Sequence, residues 1–113
     1  MSLPFQALTP DFSVAPQLLP EDIQQAQAAG FKSVINNRPD FEGGADQPTS
    51  ALIAHAAETA GLVYRHLPVQ GAYQSPEEIQ AFRDLLDSLP KPILAFCRSG
   101  ARAARLYAAA TAL

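Results

Sequence analysis

Short apolar runs alternate with longer amphipathic stretches along most of the chain. The clearest run is 93–96, four consecutive apolar residues that directly follow Pro90-Lys91-Pro92. A uniformly apolar run of this length is typical of a central strand that is covered on both faces. Three further short segments, at 12–15, 33–35 and 62–67, have the length and residue types of strands. We therefore predict four strands.

Helical patterns fill the intervals between these strands. The first predicted helix covers residues 20–29; it starts with proline and is ended by Gly30. A second predicted helix runs from residue 48 or 50 to residue 60. The third helix follows the capping box Ser75-Pro76-Glu77-Glu78. Its apolar residues recur at helical spacing: Ile79, Phe82, Leu85, Leu86 and Leu89. The last helix runs from about residue 100 to the end.

The alternation of strands and helices predicts an α/β fold with a small, mainly parallel sheet flanked by helices. Residues 36–47 are polar, contain Gly43-Gly44 and are predicted to form a loop. In such sheets ligands bind beyond the carboxyl ends of the strands. The only cysteine, Cys97, follows the central strand directly and is placed at that edge by the sequence alone.

Length and composition bound the possible functions. We predict a single domain over residues 1–113, because 113 residues is the usual size of one domain, and a composition of 48% hydrophobic and 17% charged residues is that of an ordinary globular protein. The net charge of −3 gives no reason to expect nucleic acid or membrane partners. No apolar run is long enough to span a membrane, and the first residues lack a secretory pattern. We predict a cytoplasmic protein and leave its oligomeric state open.

The residues around Cys97 are those of an anion site. Cys97-Arg98-Ser99-Gly100-Ala101-Arg102 lies between a strand and a helix, where the helix dipole is positive and backbone N–H groups converge. Gly100 keeps those N–H groups accessible, and Arg102 can offer its planar fork to an oxyanion. We predict Cys97 and Arg102 as catalytic residues. Arg98, Ser99, Gly100 and Ala101 form the predicted anion-binding loop.

This loop leaves several details open. Arg98 either helps to bind the anion or leaves the loop on the outside. Ser99 either donates a hydrogen bond to sulfur or caps the helix. A lone cysteine after an apolar strand is usually a small buried hydrophobe, but the flanking arginines and glycine favour a reactive thiolate. With no second cysteine, any adduct on Cys97 must be resolved by water or by an external molecule.

Other polar residues are weaker candidates. Arg38 follows the second predicted strand at the same edge, so it either contacts the substrate or pairs with Asp40 or Glu42. His66 also lies near this edge, whereas His55 is predicted as a filler on a helix. We expect the carboxylates of Glu42 and Asp46 to be solvated. No cluster has metal-ligand spacing and no dinucleotide or Walker-type glycine motif is present, so we expect neither metal nor cofactor.

Five separated segments resemble the phosphatase-like domain of the beta-lactamase-hydrolase-like proteins: residues 30–40, 47–48, 61–64, 66–69 and 97–102. The resemblance extends from about residue 12 to 106. It implies the fold of the dual-specificity protein tyrosine phosphatases and an active site based on cysteine. Members of the family occur alone or fused to a metallo-hydrolase or persulfide-dioxygenase domain.

Two departures from the phosphatase pattern are visible. Phosphatases of this fold separate the cysteine and arginine by five residues, whereas Cys97 and Arg102 are separated by four. The spacing matches the Cys-Arg-x-Gly-x-Arg loop that is frequent in rhodanese sulfurtransferases. Phosphatases also carry a general-acid aspartate after the third predicted strand, but residues 68–74 contain no acid.

Three functions follow from these observations. The first expectation is a rhodanese-like sulfurtransferase that moves sulfane sulfur through a persulfide on Cys97, with thiosulfate or a persulfide as donor and an external thiol as acceptor. The second is a phosphatase-like hydrolase that cleaves a phosphate ester through a phosphocysteine. The third is a non-catalytic module that binds an anion or a partner. In all three, the ligand of the loop is a small anion or a partner that presents one.

Overall fold

The structure is a computed structural model that describes residues 3–113 of the chain. Within this range the chain forms a five-stranded sheet and four helices. In chain order they are β1 (Gln6–Thr9), β2 (Phe12–Ala15), α1 (Pro20–Ala28), β3 (Ser33–Asn36), α2 (Ser50–Ala60), β4 (Val63–His66), α3 (Pro76–Ser88), β5 (Ile93–Phe96) and α4 (Ala101–Thr111). The predicted α/β class is confirmed.

The sheet is mainly parallel, with strand order β1-β2-β5-β3-β4. Only the edge strand β1 is antiparallel to its neighbour, β2. Strand β5 lies at the centre, paired with β2 and β3, and all four of its residues are buried. This agrees with the uniformly apolar pattern of 93–96.

Two hydrophobic cores lie on opposite faces of the sheet. On one face Phe82 of α3 and Leu106 of α4 pack in the same cluster as Ile93. On the other face Ile23 of α1 and Ile53 of α2 pack in the cluster that contains Leu94, Phe96 and Val34. Burying a large aliphatic or aromatic side chain stabilises a fold by about 1.5–3 kcal/mol, so these clusters fix the sheet between its helices.

The helix boundaries follow from local capping. Ser75 Oγ accepts the Glu78 N–H at 3.1 Å, and the Glu78 carboxylate accepts the Ser75 N–H at 2.8 Å, as the capping box predicts. Helix α2 begins at Ser50 because the Thr49 side chain caps it, and it ends at Gly61 in the left-handed conformation. Helix α1 ends at Ala28, one residue before the predicted end.

Strand β1 was not predicted, and it is the main difference from the sequence-based fold. Its residues are mostly exposed, and its pairing with β2 contains an irregularity between Ala7 and Thr9. An exposed edge strand of four residues buries no continuous face, so it leaves no apolar signature in the sequence.

The loops that follow β3, β4 and β5 meet at one edge of the sheet. The Asn37 N–H donates to the Phe96 carbonyl at 2.9 Å, and the Val69 N–H donates to the Asn37 carbonyl at 3.1 Å. These bonds tie three loops together at the carboxyl ends of parallel strands. Across residues 3–113, no helix has both the length and the apolar character needed to cross a membrane.

Candidate active site

Cys97 lies immediately beyond β5, at the start of a tight turn into α4. Its N–H donates to the Ala15 carbonyl at 3.4 Å, which continues the pairing of β5 with β2. The Gly100 N–H points back and donates to Cys97 Sγ at 3.1 Å. The turn therefore wraps around the sulfur atom.

Gly100 is required by the shape of this turn. Its φ is +93°, a conformation that costs a residue with a side chain about 1–2 kcal/mol. A Cβ atom at this position would also lie 3.4 Å from the Ala15 carbonyl oxygen. The glycine thus allows the close approach of the loop to β2 and directs one N–H at sulfur.

The thiol itself is almost completely covered. Cys97 is 1% exposed and packs at the end of the core that α3 and α4 cover. It is not among the residues that line the neighbouring cleft, whereas Arg98 and Arg102 of the same loop are. Cys97 and Arg102 are therefore both buried below the surface of the loop, whereas Arg98 is exposed.

Arg102 is buried at the start of α4 and makes several hydrogen bonds through one end of its guanidinium. Nη1 donates to the carbonyl oxygens of Val69 at 2.9 Å and Asn37 at 3.4 Å, and to Glu42 Oε2 at 3.2 Å. Nη2 donates to Glu42 Oε1 at 3.1 Å. Among residues 3–113, no acceptor lies within hydrogen-bonding distance of the buried Nε.

This pattern leaves the Nε edge of the Arg102 guanidinium buried and without a protein acceptor within residues 3–113. The five N–H groups of arginine form a planar fork, and Nε together with one hydrogen of Nη2 lies along a single edge. That edge matches two oxygens of a phosphate-like anion. A Cβ atom on Gly71 would lie 3.3 Å from Nη2 and 3.6 Å from Nε, so glycine there lets the loop after β4 lie close against this part of the guanidinium.

Glu42 links Arg102 to Arg38. Its Oε1 accepts Arg38 Nε at 2.9 Å in addition to Arg102 Nη2, so one carboxylate neutralises part of two guanidinium groups. Arg38 Nη1 also donates to the Gln17 side chain at 3.0 Å. The Glu42 side chain is 28% exposed, as expected for a solvated carboxylate, and it also pairs with Arg38, which was one of the alternatives predicted for Arg38; its pairing with Arg102 was not predicted.

The backbone of the loop after β3 explains this pairing. The Glu42 N–H donates to the Pro39 carbonyl at 3.3 Å and the Gly44 N–H donates to the Phe41 carbonyl at 3.0 Å, which gives two successive turns. Phe41 has a φ of +65°, a strained value for a residue with a side chain. The turns bring Glu42 back over the sheet edge. The i, i+4 spacing of Arg38 and Glu42 was the only signal of this pairing in the sequence.

The charge state of Glu42 follows from its two partners. Burial raises the pKa of its carboxyl, but the hydrogen bonds and positive charges of Arg102 and Arg38 outweigh burial and hold that pKa below its ordinary value of 4.5. Glu42 is therefore an anion at neutral pH. It orients Arg102 and is a poor proton donor.

The cleft above the loop is positively charged. It has a volume of about 550 Å³ and is lined by Arg38, Glu42, Gly43, Gly71, Arg98 and Arg102. A Cβ atom on Gly43 would lie 2.6 Å from Arg38 Nη2, so glycine there lets Arg38 take its place in the wall. Arg98 lines the cleft from its exposed rim.

The remaining predicted residues take supporting positions. Ser99 Oγ accepts the Ala101 N–H at 3.4 Å, and both residues are exposed. Ser99 thus contacts the start of α4, and the donor to sulfur is Gly100. His66 Nε2 lies 2.8 Å from the Arg38 carbonyl oxygen, so it contacts the backbone of the loop after β3. His55 is exposed on α2.

Two asparagines that the sequence did not single out hold the loop after β3. Asn36 Oδ1 accepts the Arg38 N–H at 2.9 Å, and Asn37 Nδ2 donates to the Leu67 carbonyl at 3.0 Å. Their position directly after a strand was the available signal. They fix the backbone from which Arg38 and Glu42 extend.

Comparison with known proteins identifies the class to which this arrangement belongs. Residues 4–113 match the family described as Beta-lactamase hydrolase-like protein, phosphatase-like domain. The chain belongs to this family. Because the match covers nearly the whole chain, the resemblance drawn from the five sequence segments is confirmed.

Relatives and solved structures agree with the family. A Beta-lactamase hydrolase-like protein of Agrobacterium fabrum is 37% identical over 101 residues, which cover 89% of this chain and 23% of that protein. The chain thus spans about a quarter of that relative. The crystal structure of a candidate phosphatase of Neisseria meningitidis Z2491 is 34% identical, with a TM-score of 0.82, covering 89% of this chain and 71% of that one.

A more distant structure supports the fold alone. Tk-PTP is 16% identical, with a TM-score of 0.70, and covers 86% of this chain and 62% of its own. Together these similarities confirm the predicted protein tyrosine phosphatase-like fold. They also confirm, at the level of the family, the prediction of an enzyme domain of the phosphatase-like class.

Proposed function

We propose that this domain is a thiol-based phosphatase-like hydrolase that acts on a small phosphate-bearing anion through Cys97. The observation that carries the proposal is the buried Arg102 guanidinium, whose Nε lacks a protein acceptor within residues 3–113. A buried, unpaired donor is unfavourable unless a ligand satisfies it. An oxyanion on this edge would lie beside the loop that encloses Cys97.

The proposed reaction has two steps. Cys97 Sγ attacks phosphorus, an S–P bond forms, and the P–O bond to the leaving group breaks with its electron pair on oxygen. Water then attacks the phosphocysteine, the S–P bond breaks, and inorganic phosphate is released. The N–H groups of the first turn of α4, which have no intrahelical acceptors, and the free edge of Arg102 stabilise the charge on the phosphoryl oxygens.

The leaving group is expected to depart without much protonation. Residues 68–74 hold no acid, and Glu42, the carboxylate that lines the cleft, is held as an anion by two arginines. Substrates whose leaving group departs as a stabilised anion without protonation, such as the phenolate of an aryl phosphate, should therefore react faster than alkyl phosphates.

The direct test is phosphate release from p-nitrophenyl phosphate by the wild-type protein and by Cys97→Ser. We expect the substitution to lower the rate by about a thousandfold or more, because the nucleophile is lost. His55→Ala, an exposed change on α2, is the matched control and should keep the wild-type rate. Equal phosphate release by the wild type and Cys97→Ser would refute the proposal.

Sulfur transfer is a second candidate because of the short loop. Cys97 and Arg102 are separated by four residues, and the residues between them fit the Cys-Arg-x-Gly-x-Arg pattern. In this reaction Cys97 Sγ attacks the outer sulfur of thiosulfate, the S–S bond breaks, and sulfite leaves with the electron pair. Cyanide or an external thiol then removes the sulfur from Cys97.

An assay with thiosulfate and cyanide separates the two candidates. Thiocyanate formation that is lost in Cys97→Ser, without phosphate release from aryl phosphates, would favour sulfur transfer. Phosphate release that is lost in the same variant favours the hydrolase. Tight binding of an anion without either activity would favour the non-catalytic module.

A further inference from the structure

Positive charge is concentrated at this cleft in a chain whose net charge is −3. Three of the six arginines line it: Arg38, Arg98 and Arg102. A fourth, Arg105, donates from Nη2 to the carbonyl oxygen of Gly71, a residue of the same wall, at 2.7 Å. The single carboxylate in the lining, Glu42, pairs only with Arg38 and Arg102. The rim of the cleft is therefore left with unbalanced positive charge.

Arg98 is the clearest case. It is exposed at the rim, and in the part of the chain from residue 3 to 113 its side chain takes part in no hydrogen bond or ion pair. Its backbone is fixed, because its carbonyl oxygen accepts the Gln17 N–H at 3.2 Å. The backbone of Arg98 is thus fixed beside the cleft, and its guanidinium is free to bind a ligand.

Arg98 and Arg102 line the same cleft but are buried to different extents. Arg102 is 8% exposed and its buried Nε has no protein acceptor within residues 3–113, whereas Arg98 lies on the surface one residue after Cys97. An anionic group on the Arg102 edge satisfies the buried Nε. The rest of the same molecule must then leave toward the rim, where Arg98 is unpaired.

We propose that Arg98 forms a second anion subsite, which binds a phosphate group adjacent to the one that reacts. The substrate class is then a small molecule with two neighbouring phosphates, such as a phosphoanhydride. The identity of the reacting group rests on the proposed function, but the subsite itself concerns binding alone. Because Arg98 is exposed, its contribution is expected to weaken as salt concentration rises.

The experiment measures binding in the absence of turnover. Cys97→Ser protein is titrated with inorganic phosphate and with pyrophosphate in a calorimeter at low ionic strength. We expect pyrophosphate to bind about tenfold more tightly than phosphate, in line with one additional charge-assisted hydrogen-bonded contact.

The variants locate this preference. Adding Arg98→Gln should remove most of the preference for pyrophosphate and change the affinity for phosphate by less than about twofold, since phosphate alone occupies the Arg102 edge. Adding Arg65→Gln, an equal charge change at an exposed position of β4 outside the cleft lining, should leave both affinities unchanged. Within residues 3–113, its guanidinium donates one hydrogen bond, to the Tyr64 carbonyl oxygen.

Three results would overturn the inference: no preference for pyrophosphate, an equal loss of both affinities in Arg98→Gln, or an equal effect of Arg65→Gln. These outcomes are distinct from failure of the proposed function. If wild-type protein releases no phosphate while Arg98→Gln abolishes the pyrophosphate preference, the proposed subsite is supported and the proposed hydrolase activity is refuted.

Discussion

At the scale of single residues, the geometry of Arg102 depends most directly on Glu42. Glu42 occupies Nη1 and Nη2, and the Nε edge is left without a protein acceptor within residues 3–113. The two residues are 60 positions apart in sequence. Local patterns could place Cys97, Gly100 and Arg102 on one loop, but they could not show a contact made by a turn at Phe41. This is why the contact between Glu42 and Arg102 was not predicted.

Replacing Glu42 tests this role. Glu42→Gln turns one acceptor oxygen into an NH₂ donor that faces an arginine N–H, so Arg102 loses its fixed orientation. We expect kcat/KM for an aryl phosphate to fall by about tenfold to a hundredfold, the range of a lost charge-assisted hydrogen bond. Glu58→Gln, on the exposed part of α2, makes the same charge change and should have no effect. Unchanged kcat/KM in Glu42→Gln would contradict the assignment.

The pH dependence of stability gives a second readout of the same residue. The pKa of Glu42 lies lower in the folded state than its ordinary value of 4.5, so its ion pairs stabilise the fold above that pH. As pH falls from about 4.5 through the folded-state pKa, protonation removes this contribution. The free energy of unfolding of the wild type should therefore exceed that of Glu42→Gln at neutral pH and approach it in acid. A difference that stays constant with pH would exclude the ion pairs as its source.

At the scale of elements, the sequence was sufficient to predict the four parallel strands and the four helices. Proline, glycine and the capping box at Ser75 mark the helix ends, and the apolar run 93–96 marks the centre of the sheet. Strand β1 was missed because its mostly exposed residues give no apolar pattern. The turn from β5 into α4 was predicted as an anion-binding loop, but that Gly100 directs its N–H at sulfur was visible only in the structure.

The turn can be tested with a pair of glycines. Gly100 and Gly30 have φ values of +93° and +100°, and nothing lies within 4 Å of a Cβ atom built at Gly30. Alanine at either position should cost about 1–2 kcal/mol of unfolding free energy, measured by denaturant titration. Only Gly100→Ala should also lower activity strongly, because relief of the positive φ at this residue would move the N–H that donates to Cys97 Sγ. Full activity in Gly100→Ala would show that the turn is not part of the site.

At the scale of the whole molecule, the fold and the family were predictable and the reaction was not. Several separated motifs in the expected order indicated the family, and the match of residues 4–113 to the family model confirms it. The short loop and the missing acid favoured sulfur transfer in the sequence, whereas the family and the similar structures favour a phosphatase-like hydrolase. The loop spacing matches the sulfurtransferase pattern, but both chemistries need a nucleophilic cysteine beside an anion site, so the loop alone does not decide between them. The single-domain organisation and the cytoplasmic location stay predictions.

The central claim, that Cys97 is the nucleophile in an anion site, is tested most directly by trapping its covalent intermediate. Wild-type protein is mixed with an aryl phosphate, quenched in acid within milliseconds and analysed by intact and peptide mass spectrometry. The account predicts a transient gain of about 80 Da located on Cys97, which Cys97→Ser does not show. Phosphate release without any adduct on Cys97, at a rate that Cys97→Ser retains, would contradict it.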